Sequence, residues 1–135
     1  MSEVKVDHIG IATESIKDSS LIWEILGFTD SGEEIVADQG VKVKIYSADK
    51  GTKIELLEPL GEETPIGKFI KKRGPGIQQL AISVNDIEKT IFELKKMDIK
   101  LINEVPTKGA NDNLIAFIHP SSTGGILIEL VEENQ

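Results

Sequence analysis

The chain has 135 residues, no cysteine, and 15 basic against 23 acidic side chains, a formal net charge of −8. That length suits one domain burying roughly two-thirds of its unfolded surface without cross-links, and the lack of cysteine excludes disulfides, thiolate metal sites and a cysteine nucleophile. The acidic balance argues against nucleic acid, no apolar run approaches the roughly 20 residues of a membrane span, and Met1-Ser2-Glu3-Val4-Lys5 lacks the apolar core of a secretory signal, so a cytoplasmic protein with no membrane partner is expected.

Residues 4–12 alternate as a half-buried strand does. Glu14-Ser15 then leads into a helix whose stripe is Ile16, Leu21, Ile22, Ile25 and Leu26, with Gly27 as its terminator. Strands are expected over 34–36, 41–47 and 53–57. Thr64-Pro65 reads as an N-cap and first-turn proline of a small helix over 64–73. Arg73-Gly74-Pro75-Gly76 is the connector. A strand over 77–84 follows, then a helix over 86–97 with Ile87, Ile91 and Leu94 inward. Strands are expected over 99–102, 114–118 and 126–131, and residues 106–113 read as a functional or mobile loop.

The order is βαβββ twice, and the residues repeat as well. Adding 71 carries His8-Ile9-Gly10-Ile11-Ala12 onto Gln79-Leu80-Ala81-Ile82-Ser83, and Ile16 onto Ile87. Adding 74 carries Gly51-x-x-Ile54-Glu55-Leu56-Leu57-Glu58 onto Gly125-x-x-Ile128-Glu129-Leu130-Val131-Glu132, five identities in eight positions. Such a repeat marks two copies of one unit, each too small to bury its own sheet face. The expected fold is α+β in a single domain, 1–135: modules 4–59 and 76–132 pair into one curved eight-stranded mixed sheet around a metal cleft.

Two pairs of polar residues occupy equivalent positions in this repeat, His8 with Gln79 and Glu55 with Glu129. Each lies in an apolar strand, where alternation lets any one of them face solvent. Pairing about a pseudo-twofold axis brings all four to one cleft instead. Two carboxylates there repel unless a cation lies between them, and a mixed N and O donor set suits a divalent ion with coordination sites left open.

Several segments resemble the vicinal oxygen chelate superfamily (the glyoxalase, bleomycin resistance and dioxygenase group), and within it the methylmalonyl-CoA epimerase family. They are Asp7-His8-Ile9-Gly10-Ile11-Ala12, Gln39-Gly40-Val41, Ile54-Glu55-Leu56-Leu57-Glu58-Pro59, Thr64-Pro65-Ile66-Gly67-Lys68-Phe69-Ile70 and His119-Pro120-Ser121-Ser122-Thr123-Gly124-Gly125-Ile126-Leu127-Ile128-Glu129-Leu130. The resemblance implies metal ligands at His8, Glu55 and Glu129. Where family members usually carry Gly-x-His-His, this chain reads Gly76-Ile77-Gln78-Gln79, so Gln79 takes the place of the fourth ligand.

The activity the resemblance implies is epimerisation of (R)- and (S)-methylmalonyl-CoA. A proton is removed alpha to the thioester, through an enolate stabilised by a divalent metal (cobalt, manganese, nickel, zinc or magnesium). Inversion requires two acid/base groups; Glu129 is the first choice and Glu55, by pseudo-symmetry, the second, with Asp38 a lesser candidate. Some family members place an acidic residue after Gln-Gly-Val, but here the stretch is Lys42-Val43-Lys44. Binding an acyl-CoA needs a local basic patch, for which Lys71 and Lys72 stand out beside Lys68, Arg73 and Lys108. Gln39, Ser121 and Ser122 are candidate polar contacts for the substrate, while His119 is expected to order its turn. A homodimer is expected. The alternatives are a glyoxalase-type lyase, from the same donor set, and a non-catalytic ligand-binding member of the superfamily.

Overall fold

The computed structural model describes residues 5–134; Val4, the expected start of the first strand, lies outside them. The fold is α+β, with eight strands of mixed direction. Two compact units divide the described residues, one of residues 8–78 and the other of residues 5–7 with 79–134, so that the first strand runs through the boundary.

In the unit of residues 8–78 the strands are β1 (Lys5–Ala12), β2 (Thr29–Val36), β3 (Val41–Ser47) and β4 (Lys53–Pro59), ordered β2-β3-β4-β1. β1 is parallel to β4 with Gly10 opposite Glu55, and β3 is antiparallel to both its neighbours. The face bearing Ile9, Ile11, Tyr46, Ile54 and Leu56 packs with Ile16, Trp23 and Phe28. Register places Val43 and Ile45 on the opposite face, together with Leu57 and Glu55.

The single helix expected after Glu14 is two short ones, α1 (Ile16–Ser19) and α2 (Leu21–Ile25). The Ser20 hydroxyl donates back to the Ile16 carbonyl, a bond that competes with the helical ladder. Of the expected stripe only Ile16 is buried, and Leu21, Ile22, Ile25 and Leu26 are all more than half exposed. The connector 37–40 is a 3-10 turn, Ala37–Gln39, closed by Gly40 at φ +64°. A Cβ at Gly40 would lie 2.6 Å from the Thr64 methyl, so both backbone and space require glycine. Thr64 caps α3 (Pro65–Arg73) by accepting the Gly67 N–H, as its sequence predicts.

The other unit holds β5 (Gly76–Ser83) from Gln79 onward, α4 (Ile87–Lys96), β6 (Thr107–Lys108), β7 (Leu114–Ile118) and β8 (Ile128–Glu132). The order β5-β8-β7-β6 repeats that of the first module, and β5 is again parallel to β8. One face packs Ala116, Ile118 and Leu130 against Ile87 and Ile91 of α4; the other carries Ala81, Ile115, Val131 and Phe117.

Two expectations are corrected here. Residues 99–102 form no strand; Leu101 alone makes a bridge, to Ile118. Asp98 turns the chain at φ +59°, and the Asn103 side chain accepts the Phe117 N–H that a further strand would have used. Residues 106–113, expected as a loop, hold β6, paired to β7 through Thr107 opposite Ile115, and a 3-10 turn at Ala110–Asp112.

The offsets read from the sequence reappear in the register. Gly10 opposite Glu55 becomes, after adding 71 and 74, Ala81 opposite Glu129, which is the pairing observed. Glu58 Oε1 accepts the Ile16 N–H at 2.8 Å, and Glu132 Oε1 accepts the Ile87 N–H at 2.9 Å. The second copy therefore reproduces both the ladder and the bond that seats its helix.

Candidate metal and acid/base site

Strand geometry positions the four polar candidates as two matching pairs. In the unit of residues 8–78, His8 and Glu55 lie two residues apart in register on parallel neighbours, and His8 Nδ1 stands 3.2 Å from Glu55 Oε2. In the other unit, Gln79 and Glu129 repeat the arrangement, with Gln79 Nε2 donating to Glu129 Oε1 at 2.6 Å. All four residues are at most 7% exposed. The solvent-facing orientation that alternation permits is excluded for each of them.

Asp7 stands directly before His8 in β1 and is buried as well. Within its own unit Asp7 Oδ1 accepts the Ser83 hydroxyl at 3.3 Å. Asp7 was not among the residues the sequence singles out. Its signal was available, since it is a carboxylate between Val6 and His8 within the first strand.

The surroundings of Glu55 are apolar on β3. Val43 and Ile45 share its face, whereas Lys42 and Lys44 point to the other one. There Lys42 lies 3.9 Å from Glu33 and 3.7 Å from Glu58, and Lys44 lies 2.8 Å from Asp30. The hydrogen bond from Lys44 holds the Asp30 carboxyl below its usual range, and the same bond raises Lys44. Burial pushes the Tyr46 phenol up; its hydroxyl donates to Glu24 on that same face. β3 thus contributes no titratable side chain to the face of Glu55, only apolar surface that strengthens whatever electrostatic interaction Glu55 makes.

The donors fit a divalent ion. Adjacent ligands on an octahedral ion at about 2.1 Å stand about 3.0 Å apart, and the His8–Glu55 contact is 3.2 Å. The imidazole nitrogen and carboxylate oxygen of this pair are borderline and hard donors, with no sulfur between them.

The remaining candidates sit elsewhere on their own units. Gln39 is half-buried in the 3-10 turn after β2, and Asp38 beside it is exposed. Lys71 and Lys72 are exposed in the last turn of α3, where Lys71 also borders a cavity lined by Glu14, Leu60, Gly67 and Ile70. The Ser122 hydroxyl accepts the Lys100 N–H, and Ser121 is exposed and gives its N–H to His119 Nδ1. His119 therefore orders its turn, as expected.

Comparison with known proteins places these features in a family context. Residues 7–117 match the Glyoxalase/Bleomycin resistance protein/Dioxygenase superfamily. The chain is 39% identical over 129 residues to an uncharacterized protein, YqjC, of Bacillus subtilis, an alignment covering 95% of this chain and 91% of that one. Its fold is similar to the crystal structure of methylmalonyl-CoA epimerase from Mycobacterium tuberculosis, with a TM-score of 0.91 and 39% identity over 97% of this chain and 89% of that one. It is also similar to a methylmalonyl-CoA epimerase solved in complex with methylmalonyl-CoA and NH4+, with a TM-score of 0.90 and 28% identity over 98% and 96% of the two chains.

Proposed function

The chain belongs to the glyoxalase/bleomycin resistance protein/dioxygenase superfamily, and from that premise we propose that it is an isomerase interconverting (R)- and (S)-methylmalonyl-CoA. The observation carrying this reading is the pair of buried polar couples, His8–Glu55 and Gln79–Glu129, at repeat-equivalent positions. A protein with no acid/base or metal chemistry would have little reason to keep two carboxylates inside apolar strands. The epimerases among its structural neighbours support the substrate class.

In this reading His8, Glu55, Gln79 (through its amide oxygen) and Glu129 hold a divalent ion from the cobalt, manganese, nickel, zinc and magnesium group. When bound, the ion polarises the carboxylate and thioester oxygens of the substrate and so stabilises the charge that develops when the C2 proton leaves. Glu129 takes or returns that proton on one face of C2. Glu55 serves the opposite face, a role its pseudo-symmetric position and the apolar wall of β3 support. The cationic end of α3, Lys71 and Lys72, attracts the phosphates of coenzyme A. Gln39, Ser121 and Ser122 make polar contacts to the acyl-CoA. The protein acts as a cytoplasmic homodimer, and the exposed apolar residues of α2 offer surface for such an interface.

The test is deuterium incorporation at C2 of methylmalonyl-CoA in D2O, with each of the five metals in turn. Uptake with at least one metal is expected, and Glu129→Gln should abolish it while leaving the circular dichroism spectrum unchanged. No uptake with any metal would overturn the assignment.

A further inference from the structure

The Gln79–Glu129 couple differs from its counterpart in one chemical respect. A glutamine amide has its donor and acceptor at fixed ends and never ionises. Its Nε2–H therefore donates to a carboxylate at any pH, whereas an imidazole nitrogen that ligates a metal has no proton left to give. Here the donor end is committed: Nε2 donates to Glu129 Oε1 at 2.6 Å, shorter than an ordinary N–H···O bond. Both residues are buried, and Ala81, Val131, Ile115 and Phe117 form an apolar cluster on the same face. Water competes poorly for a bond in such surroundings, so it is stronger than its surface equivalent.

We propose that Gln79 is a positioning residue for Glu129. Its amide hydrogen holds Oε1 and so determines that Oε2 is the oxygen directed to the proton at C2, before metal or substrate arrives. The identity of that proton rests on the epimerase reading above; the hold itself does not. The glutamine at this position thus supplies a clamp on the acid/base residue that a metal-ligating histidine would not provide.

Two measurements test it. In the metal-free protein, the Gln79 side-chain amide, assigned by its disappearance in Gln79→Met, should resonate downfield and exchange slowly with solvent. Glu129→Met should abolish both properties. A Gln79 amide exchanging at the rate of surface glutamines would overturn the clamp whatever reaction the protein performs. The second measurement is steady-state deuterium exchange for Gln79→His at saturating metal. Metal affinity by titration calorimetry should be equal or tighter, KM unchanged, and kcat lower by about 10–100-fold, the usual loss when a residue orienting a site is removed. A Gln79→His kcat equal to that of the unmodified protein would also overturn the proposal. If the unmodified protein exchanges no deuterium, the epimerase reading fails and the amide measurement still decides the clamp.

Discussion

At the residue scale, the repeat is informative where it holds and where it breaks. The Asp7–Ser83 hydrogen bond maps, through the offset of 71, onto Gln78 and Ala12. Alanine has no hydroxyl to donate, and among the described residues Gln78 Oε1 is a buried side-chain oxygen without a hydrogen-bond partner. Charge pairing on β3 is local in the same way. The Asp30 carboxyl is held below its ordinary value by Lys44, and Lys44 is raised in turn. A depressed carboxylate pKa gives stability that is present above the unfolded value and lost as pH falls through the folded one. A raised lysine pKa gives stability that is present below the unfolded value and lost as pH rises through the folded one. Asp30→Asn should therefore be less stable than the unmodified chain near neutral pH, and the difference should vanish as urea titrations move into the acid range below the Asp30 pKa. The difference should be small, because the Asp30 side chain is 45% exposed.

At the scale of elements, each module seats its first helix with one glutamate from the end of its last strand, Glu58 for Ile16 and Glu132 for Ile87. The acceptor is charged and the N–H belongs to a helix start, where backbone donors lack partners and negative charge is favoured. Glu132→Gln should cost about 1–2 kcal/mol in urea unfolding, as expected for a charge-assisted bond replaced by a neutral one. Glu58→Gln should cost a similar amount, although Lys42 also stands 3.7 Å from that carboxylate. A loss confined to one module would show that the two seats are not equivalent. The Glu58 and Glu132 positions were legible in advance, since they close the eight-residue repeat. The broken helix after Ser15 was not, because the Ser20 back-bond is a local competition that an apolar stripe does not register. Likewise the missing strand over 99–102 depended on Asn103 reaching Phe117, a contact between residues 14 apart.

At the scale of the whole molecule, a metal that binds only the folded chain must raise its stability. Excess ion at about 100 times its dissociation constant adds about 2.7 kcal/mol. Thermal unfolding with added cobalt or manganese should therefore shift upward, and the shift should disappear with chelator and be reduced in Glu129→Gln. A melting temperature indifferent to all five metals would argue for the ligand-binding alternative over an epimerase or a lyase.

What the sequence determined by itself was the repeat, and with it the equivalence of His8 with Gln79 and of Glu55 with Glu129, and the polar residues worth examining. These follow from periodicity and identity at fixed offsets, which are properties of the chain read along its length. It also determined that no thiolate chemistry is available, since there is no cysteine. Tertiary structure decided which face each polar residue occupies. An alternating strand can present either face to the core, and only packing of Tyr46, Ile54 and Leu56 against Ile16 commits the opposite face to Glu55. Tertiary structure also brought His8 to Glu55, buried the apolar side of β3 beside Glu55, and turned the Gln79 amide so that its nitrogen, not its oxygen, meets Glu129. Such contacts join residues far apart in the chain, and no spacing along the sequence encodes their direction.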